Sequence, residues 1–288
     1  MDFGYIKEEY KSSMGFELTN TIGESAENST LSYPHVITNY LIYYFIKGSG
    51  NIKIEGNLYH INEGDIIMLN PSEFFCCTID KGIFHERIVL HINETVFSGF
   101  SEKKDMIFLP FYKREKGSCN KINAEDVKRL KLDTMFCEAL KFMKSKDSAD
   151  EVIATCRVAE IMINLSKYMI KEISADEKKA YHPVIKNIIE YINDNFVEDI
   201  TISRISERFN IDKSYLSHLF KEHVGTSLWS YVILRRIYYF NNLLKDNVNM
   251  EDASRRAGFN NYSNFFRLYR KYTGMTPMEF KKKLKFYN

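Results

Sequence analysis

The 288-residue chain is poor in residues that staple a fold: it has five cysteines, five prolines and a single tryptophan. The cysteines, at positions 76, 77, 119, 137 and 156, are odd in number and nowhere spaced as CxxC. That usage argues against a disulfide framework or a zinc knuckle and for reduced thiols. No window approaches the roughly 18 apolar residues that a membrane helix needs. The opening MDFGYIKEEY is acidic and has no uninterrupted apolar segment of the kind a secretion signal carries, so a cytoplasmic location without membrane contact is expected. A phosphate-binding loop, a dinucleotide fingerprint and a nucleophile elbow are all missing. The chain is therefore expected not to be an enzyme, with no catalytic residue, no metal and no cofactor.

Net charge is also nearly absent, at +2, until the chain is divided. Residues 1–175 hold 21 Lys and Arg against 25 Asp and Glu, whereas residues 176–288 hold 19 against 13. A basic C-terminal part behind a mildly acidic N-terminal part points to nucleic acid as the partner of the former alone. The length fits two domains.

Residues 40–92 read as β. YLIYYFIKGSGNIKIEG gives a strand, a Gly-rich turn and an alternating strand at Asn51–Glu55, and IIML before Pro71 and FHERIVLHI continue the pattern. Short strands punctuated by Gly and Pro predict a sandwich or small barrel. From Asn123 to Glu172 the period becomes helical, with Ser148 and Glu151 spaced as a capping box. The polar stretch 174–182 reads as a linker.

Beyond Pro183 the chain is helical and repeats itself. RISERFNIDKSYLSHLFKEHVGTS (204–227) aligns with DASRRAGFNNYSNFFRLYRKYTGMTP (252–277), at an offset of 48 that becomes 49 after one inserted residue. Each copy gives a short helix, a tight turn at Asn210 or Gly258, and a longer helix closed by Gly225 or Gly274, which is a helix-turn-helix. Asp212 and Asn260 are the expected N-caps of the longer helices. At about 100° per residue, Leu216, Leu219, Phe220 and His223 form the buried stripe of one, and Phe265, Leu268, Tyr269 and Tyr272 that of the other. The opposite faces correspond: Ser214 with Ser263, His218 with Arg267, Lys221 with Arg270. The expected DNA-binding set is Lys213, Ser214, Ser217, His218, Lys221, Tyr262, Ser263, Asn264, Arg267, Arg270 and Lys271. Arg267 has the reach to read guanine O6 and N7, while Lys221, Arg270 and Lys271 suit phosphates.

These repeats, above all AGFNNYSNFFRLYRKYTGMTPMEF, resemble the C-terminal domain of the AraC-type (arabinose-regulator) family of bacterial transcription factors. The resemblance implies two helix-turn-helix units joined by a long helix near Leu228–Lys245, entering successive major grooves. Upstream, YYFIKGSGNIKIEGNLYHINEGDIIMLNPSEF looks like that family's cupin-type β-barrel sensor. The implied fold class is α+β: residues 1–120 as the sensor, 121–173 as dimerisation helices, 174–182 as linker and 183–288 as the DNA-binding domain. The implied partners are promoter DNA, a small-molecule effector with a sugar as the leading guess, a second copy of the chain, and RNA polymerase. The sequence departs from the family at Ser206 and Ser254, where a small alanine is usual, and at Ala253 and Phe240. Phe240 is expected to fill the volume that Ala253 leaves.

The expected effector pocket is lined by His35, Tyr43, Phe45, Tyr59, Phe74 and His85. A metal-dependent cupin enzyme with an accessory DNA-binding domain is the alternative reading. His60, His85 and His91 lie on strands where they can converge, but His35 lacks the neighbouring His and carboxylate of a cupin metal motif.

Overall fold

In the computed structural model the described residues are 5–24, 29–31, 39–71, 73–80, 82–100, 104–145, 147–173 and 183–285. Among the described residues nine strands precede the first α-helix and a tenth follows the second: β1 Tyr5–Lys11, β2 Phe16–Glu24, β3 Ser29–Leu31, β4 Tyr40–Lys47, β5 Gly50–Ile54, β6 Asn57–Ile61, β7 Ile66–Leu69, β8 Phe75–Ile79, β9 Phe84–Ile92 and β10 Lys121–Ile122. They form two antiparallel sheets, ordered β1-β2-β9-β4-β7-β10 and β3-β8-β5-β6.

The sheets face each other across an apolar interior. Leu41, Phe45, Ile67 and Leu69 from the larger sheet meet Ile52, Ile54, Ile61, Phe75, Cys77 and Ile79 from the smaller. The other face of the larger sheet is also covered. After two short helices, α1 Lys104–Ile107 and α2 Leu109–Tyr112, come α3 Ala124–Arg129, α4 Leu132–Ser145 and α5 Ser148–Ile173. Phe136, Leu140, Ile161 and Leu165 of α4 and α5 pack on Leu18, Ile42, Met68, Ile88 and Leu90. Burial on both faces is why YLIYYFI and IIML read as continuous apolar runs, whereas β5, with one face outward, alternates. Asp147, not Ser148, caps α5: its Oδ1 accepts from the amide of Ala149 at 2.7 Å. Glu151 instead turns to the β1–β2 turn, accepting from Ser12 Oγ at 2.7 Å and the Ser13 amide at 2.6 Å.

Seven helices follow: α6 Pro183–Asn195, α7 Ile202–Phe209, α8 Lys213–Val224, α9 Leu228–Lys245, α10 Met250–Arg256, α11 Tyr262–Thr273 and α12 Pro277–Lys285. They share one core around the fully buried Phe220, Tyr231, Phe240 and Phe265. Phe240 meets Phe265 at a tilt, with ring centres 4.5 Å apart, and Tyr269 edge-on at 5.5 Å, in the same core as the fully buried Ala253. The two serines that replace alanines are buried but satisfied: Ser206 Oγ donates to the Ile211 carbonyl (2.6 Å) and Ser254 Oγ to that of Glu251 (2.8 Å). The expected linker at 174–182 lies outside the described residues. Among the described residues no helix is long and apolar enough to cross a membrane.

Candidate nucleic-acid interface and its contact with the β domain

Pairs α7–α8 and α10–α11 are the two helix-turn-helix units. Asn210 (φ 51°) and Gly258 (φ 84°) take the left-handed conformation their turns demand. At Gly258 no other residue fits, because a Cβ there would lie 2.6 Å from the Val197 carbonyl oxygen. Thr201 caps α7 and Asn249 caps α10. Asp212 caps α8, accepting from the amides of Ser214 (2.9 Å) and Tyr215 (3.0 Å). The cap of α11 is Asn261 rather than Asn260: its side chain accepts from the Asn264 amide at 2.8 Å. The capping residue must sit directly before the helix, in extended backbone, and Tyr262 is where α11 begins.

The longer helices divide as amphipathic spacing requires. Leu216, Leu219 and Phe220 are buried in α8, and Phe265, Tyr269 and Tyr272 in α11; His223 and Leu268 are only half-buried. Lys213, Ser214, Ser217, His218 and Lys221 are all exposed, as are Tyr262, Ser263, Asn264, Arg267, Arg270 and Lys271. Tyr215 and Phe266, absent from the predicted set, are exposed beside them. Arg267 Nη2 donates to Asn264 Oδ1 at 3.1 Å, which holds the guanidinium along the helix. On α11 no acidic side chain pairs with Arg267, Arg270 or Lys271 among the described residues, whereas α8 carries Glu222, 3.7 Å from His218.

The effector-site residues fare differently. Tyr43 and Phe45 face the space between the sheets, and Tyr59 packs at its edge with its hydroxyl donating to the Gly117 carbonyl. His85 is buried, its pKa pulled down to about 4 by burial and by the charge of Arg87. His35 lies outside the described residues. Phe74 does not line the interior at all. It enters the core of the helical domain and meets Tyr231 edge-on at 5.5 Å. His60 is exposed on Asn51, and among the described residues no group of three or more His, Cys, Asp or Glu is placed to hold a metal.

Phe74 belongs to a contact that leaves no mark in the local sequence pattern. Glu55 leaves β5 with φ 48° and is 1% exposed. Its Oε1 accepts from the Phe74 amide (2.8 Å) and from Arg235 Nη2; its Oε2 accepts from the Tyr231 hydroxyl at 2.6 Å. Arg235 Nε also donates to the Tyr231 oxygen at 3.0 Å. Burial pushes the Tyr231 phenol well above its usual range, so it stays a donor. Nearby, Lys53 donates to the Glu222 carbonyl at the C-terminal end of α8, and a Cβ on Gly225 would sit 3.3 Å from that of Cys76. The β domain is thus seated on α9 and on the end of α8 through a fully hydrogen-bonded buried carboxylate.

Two paired helix-turn-helix units thus stand behind a two-sheet domain. Residues 205–283 match a helix-turn-helix domain model and residues 20–82 an AraC-like ligand binding domain model. The matched order is thus an AraC-like ligand binding domain followed by a helix-turn-helix domain, and the chain is similar to proteins named as helix-turn-helix transcriptional regulators. The uncharacterized regulator YdiP of Escherichia coli is 30% identical over 103 residues, which cover 35% of this chain and 34% of YdiP. The Msm operon regulatory protein of Streptococcus mutans is 20% identical over 256 residues, 87% of each chain. The chain spans about a third of the length of YdiP and of the Staphylococcus aureus regulator SACOL0084. Among solved structures, ToxT of Vibrio cholerae is similar over 98% of both chains at 14% identity, with a TM-score of 0.41.

Proposed function

We propose that the protein is a cytoplasmic, homodimeric transcriptional regulator rather than an enzyme, which binds promoter DNA in a sequence-specific way. Residues 183–288 read the promoter, 121–173 dimerise, 174–182 link the two parts, and 1–120 hold a small molecule that adjusts DNA binding and contact with RNA polymerase. The observation that carries this reading is the duplicated free face. Two helices of the same design each expose a hydroxyl near the N-terminus, a longer polar side chain one turn on and cations beyond, over a largely buried opposite stripe. Val152, Ile153 and Ile170, exposed on α5, support pairing with a second copy. The interior hydroxyls of Tyr43, Thr19 and Thr21 suit a carbohydrate effector. The seat of the β domain on α8 and α9 offers the route by which an occupied interior alters the DNA-binding domain.

Titration of a labelled operator fragment against salt tests the DNA face. Arg267→Ala should relax discrimination at one base pair by about 1–3 kcal/mol. Arg270→Ala should weaken all sites alike and lower the salt slope by about one. If both variants behave as wild type, the assigned face is wrong.

A further inference from the structure

The β domain holds one half-buried arginine, Arg87, whose guanidinium faces the interior with no carboxylate paired to it among the described residues. Alternation along the strands fixes which side chains share that interior. Thr21 and Phe45 both lie opposite Arg87, and Thr19 and Tyr43 both lie opposite Val89. Since Phe45 and Tyr43 pack in the cluster between the sheets, Arg87, Thr19 and Thr21 point there too. The Arg87 guanidinium lies 6.0 Å from the centre of the Tyr43 ring, and its Nε is buried with no hydrogen-bond partner among the described residues. Thr19 is 2% exposed, and its hydroxyl also lacks a partner.

Other interior arginines are answered in full. Arg114 is bound to both oxygens of Glu73, at 2.5 and 2.6 Å. Arg235 is bound to Glu55, and Arg236 donates to the carbonyls of Phe196 and Glu198, each at 2.7 Å. A buried donor without an acceptor costs free energy, and an ionised one costs more. Arg87 therefore stands out among these, its buried Nε being a donor for which the described residues supply no acceptor. Its charge is felt across the interior: it opposes the burial-driven rise of the Tyr43 phenol and the Cys77 thiol, each still pushed up to about 12.

We infer that the interior between the sheets is a binding site for a small organic anion, whose carboxylate or phosphate pairs with Arg87 while Thr19, Thr21 and the Tyr43 ring hold its body. The planar guanidinium matches two oxygens of either group. The inference rests on the β domain being an effector sensor and names the chemistry of its effector: within carbohydrates, a sugar acid or a sugar phosphate rather than a neutral sugar.

Thermal unfolding of the full chain with glucose, gluconate and glucose 6-phosphate, at matched ionic strength, tests it. A ligand of the native state raises the midpoint by mass action. Gluconate or glucose 6-phosphate should raise it by several degrees where glucose does not, and the responding compound tells carboxylate from phosphate. Arg87→Met should abolish the rise, Arg87→Lys should keep part of it, and Arg270→Ala, on the DNA face, should keep all of it. Circular dichroism verifies that each variant folds, and Arg87→Lys serves if Arg87→Met does not. A rise that survives Arg87→Met, a rise lost in Arg270→Ala, or no rise with either anion overturns the inference. Glucose binding that is indifferent to Arg87 overturns only the anion and leaves the sensor reading standing.

Discussion

At the scale of single residues, the most informative groups are polar ones inside the β domain. His91 faces the same interior as Arg87 by strand register, and its pKa is pulled down to about 4 by burial and by the charge of Lys7. His85 is lowered to about 4 as well. Both titrate near 6.5 when the chain is unfolded. Between those values the unfolded chain takes up protons that the folded chain refuses, so stability is full above pH 6.5 and falls as pH drops toward 4. The urea midpoint should decline across that window in the wild type and decline less steeply in His91→Asn. An equal slope in the two would mean that His91 titrates normally. None of this was legible in the sequence, where a strand histidine gives no sign of its depth. Arg87 escaped notice for the same reason, as one cation in an alternating strand. Glu55 and Arg235 stand 180 residues apart, and no local pattern relates them.

At the scale of elements, legibility followed periodicity. The two long helices of the repeat, their glycine ends and their buried stripes were readable because amphipathic spacing and left-handed turns leave strong marks. β1 and β2 were missed. YIKEEYK is a polar edge strand, and FELTNTIGE buries Thr19, Asn20 and Thr21 where an apolar residue would have announced a strand. The helix starts were readable only to within one residue. Asn260 and Asn261 are chemically identical, and only the backbone decides which one caps α11; likewise Asp147 displaced Ser148 at α5. Cap energetics make the difference measurable. Asn261→Ala should cost about 1 kcal/mol of stability in urea unfolding, and Asn260→Ala no more than a few tenths. The reverse order would move the start of the helix.

At the scale of the whole molecule, the decisive feature is the seat of the β domain on the DNA-binding domain. It was invisible beforehand because Phe74 looked like one more ring lining a barrel. In the fold it is the residue that leaves the barrel and enters the other core. Removing the carboxylate at its centre strands a buried guanidinium, so Glu55→Ala should destabilise the protein by about 3–5 kcal/mol. The double variant Glu55→Met with Arg235→Met should recover most of that loss, because an apolar pair of similar volume carries no charge to desolvate. If the double variant is no better than the single one, the cost lies in packing and not in the ion pair.

The same scale holds the most direct test of the DNA-binding reading. The exposed faces of α8 and α11 belong to two units that share one core and are joined by α9, and on the proposed reading both meet one side of the duplex in each half-site of a dimer's operator. A hydroxyl-radical footprint on a cognate promoter fragment should show, in each half-site, two protected patches on the same face of the DNA. They should lie about one helical turn apart, roughly 34 Å, and Arg267→Ala should weaken one of them. A single patch per half-site, or two on opposite faces of the duplex, would contradict it.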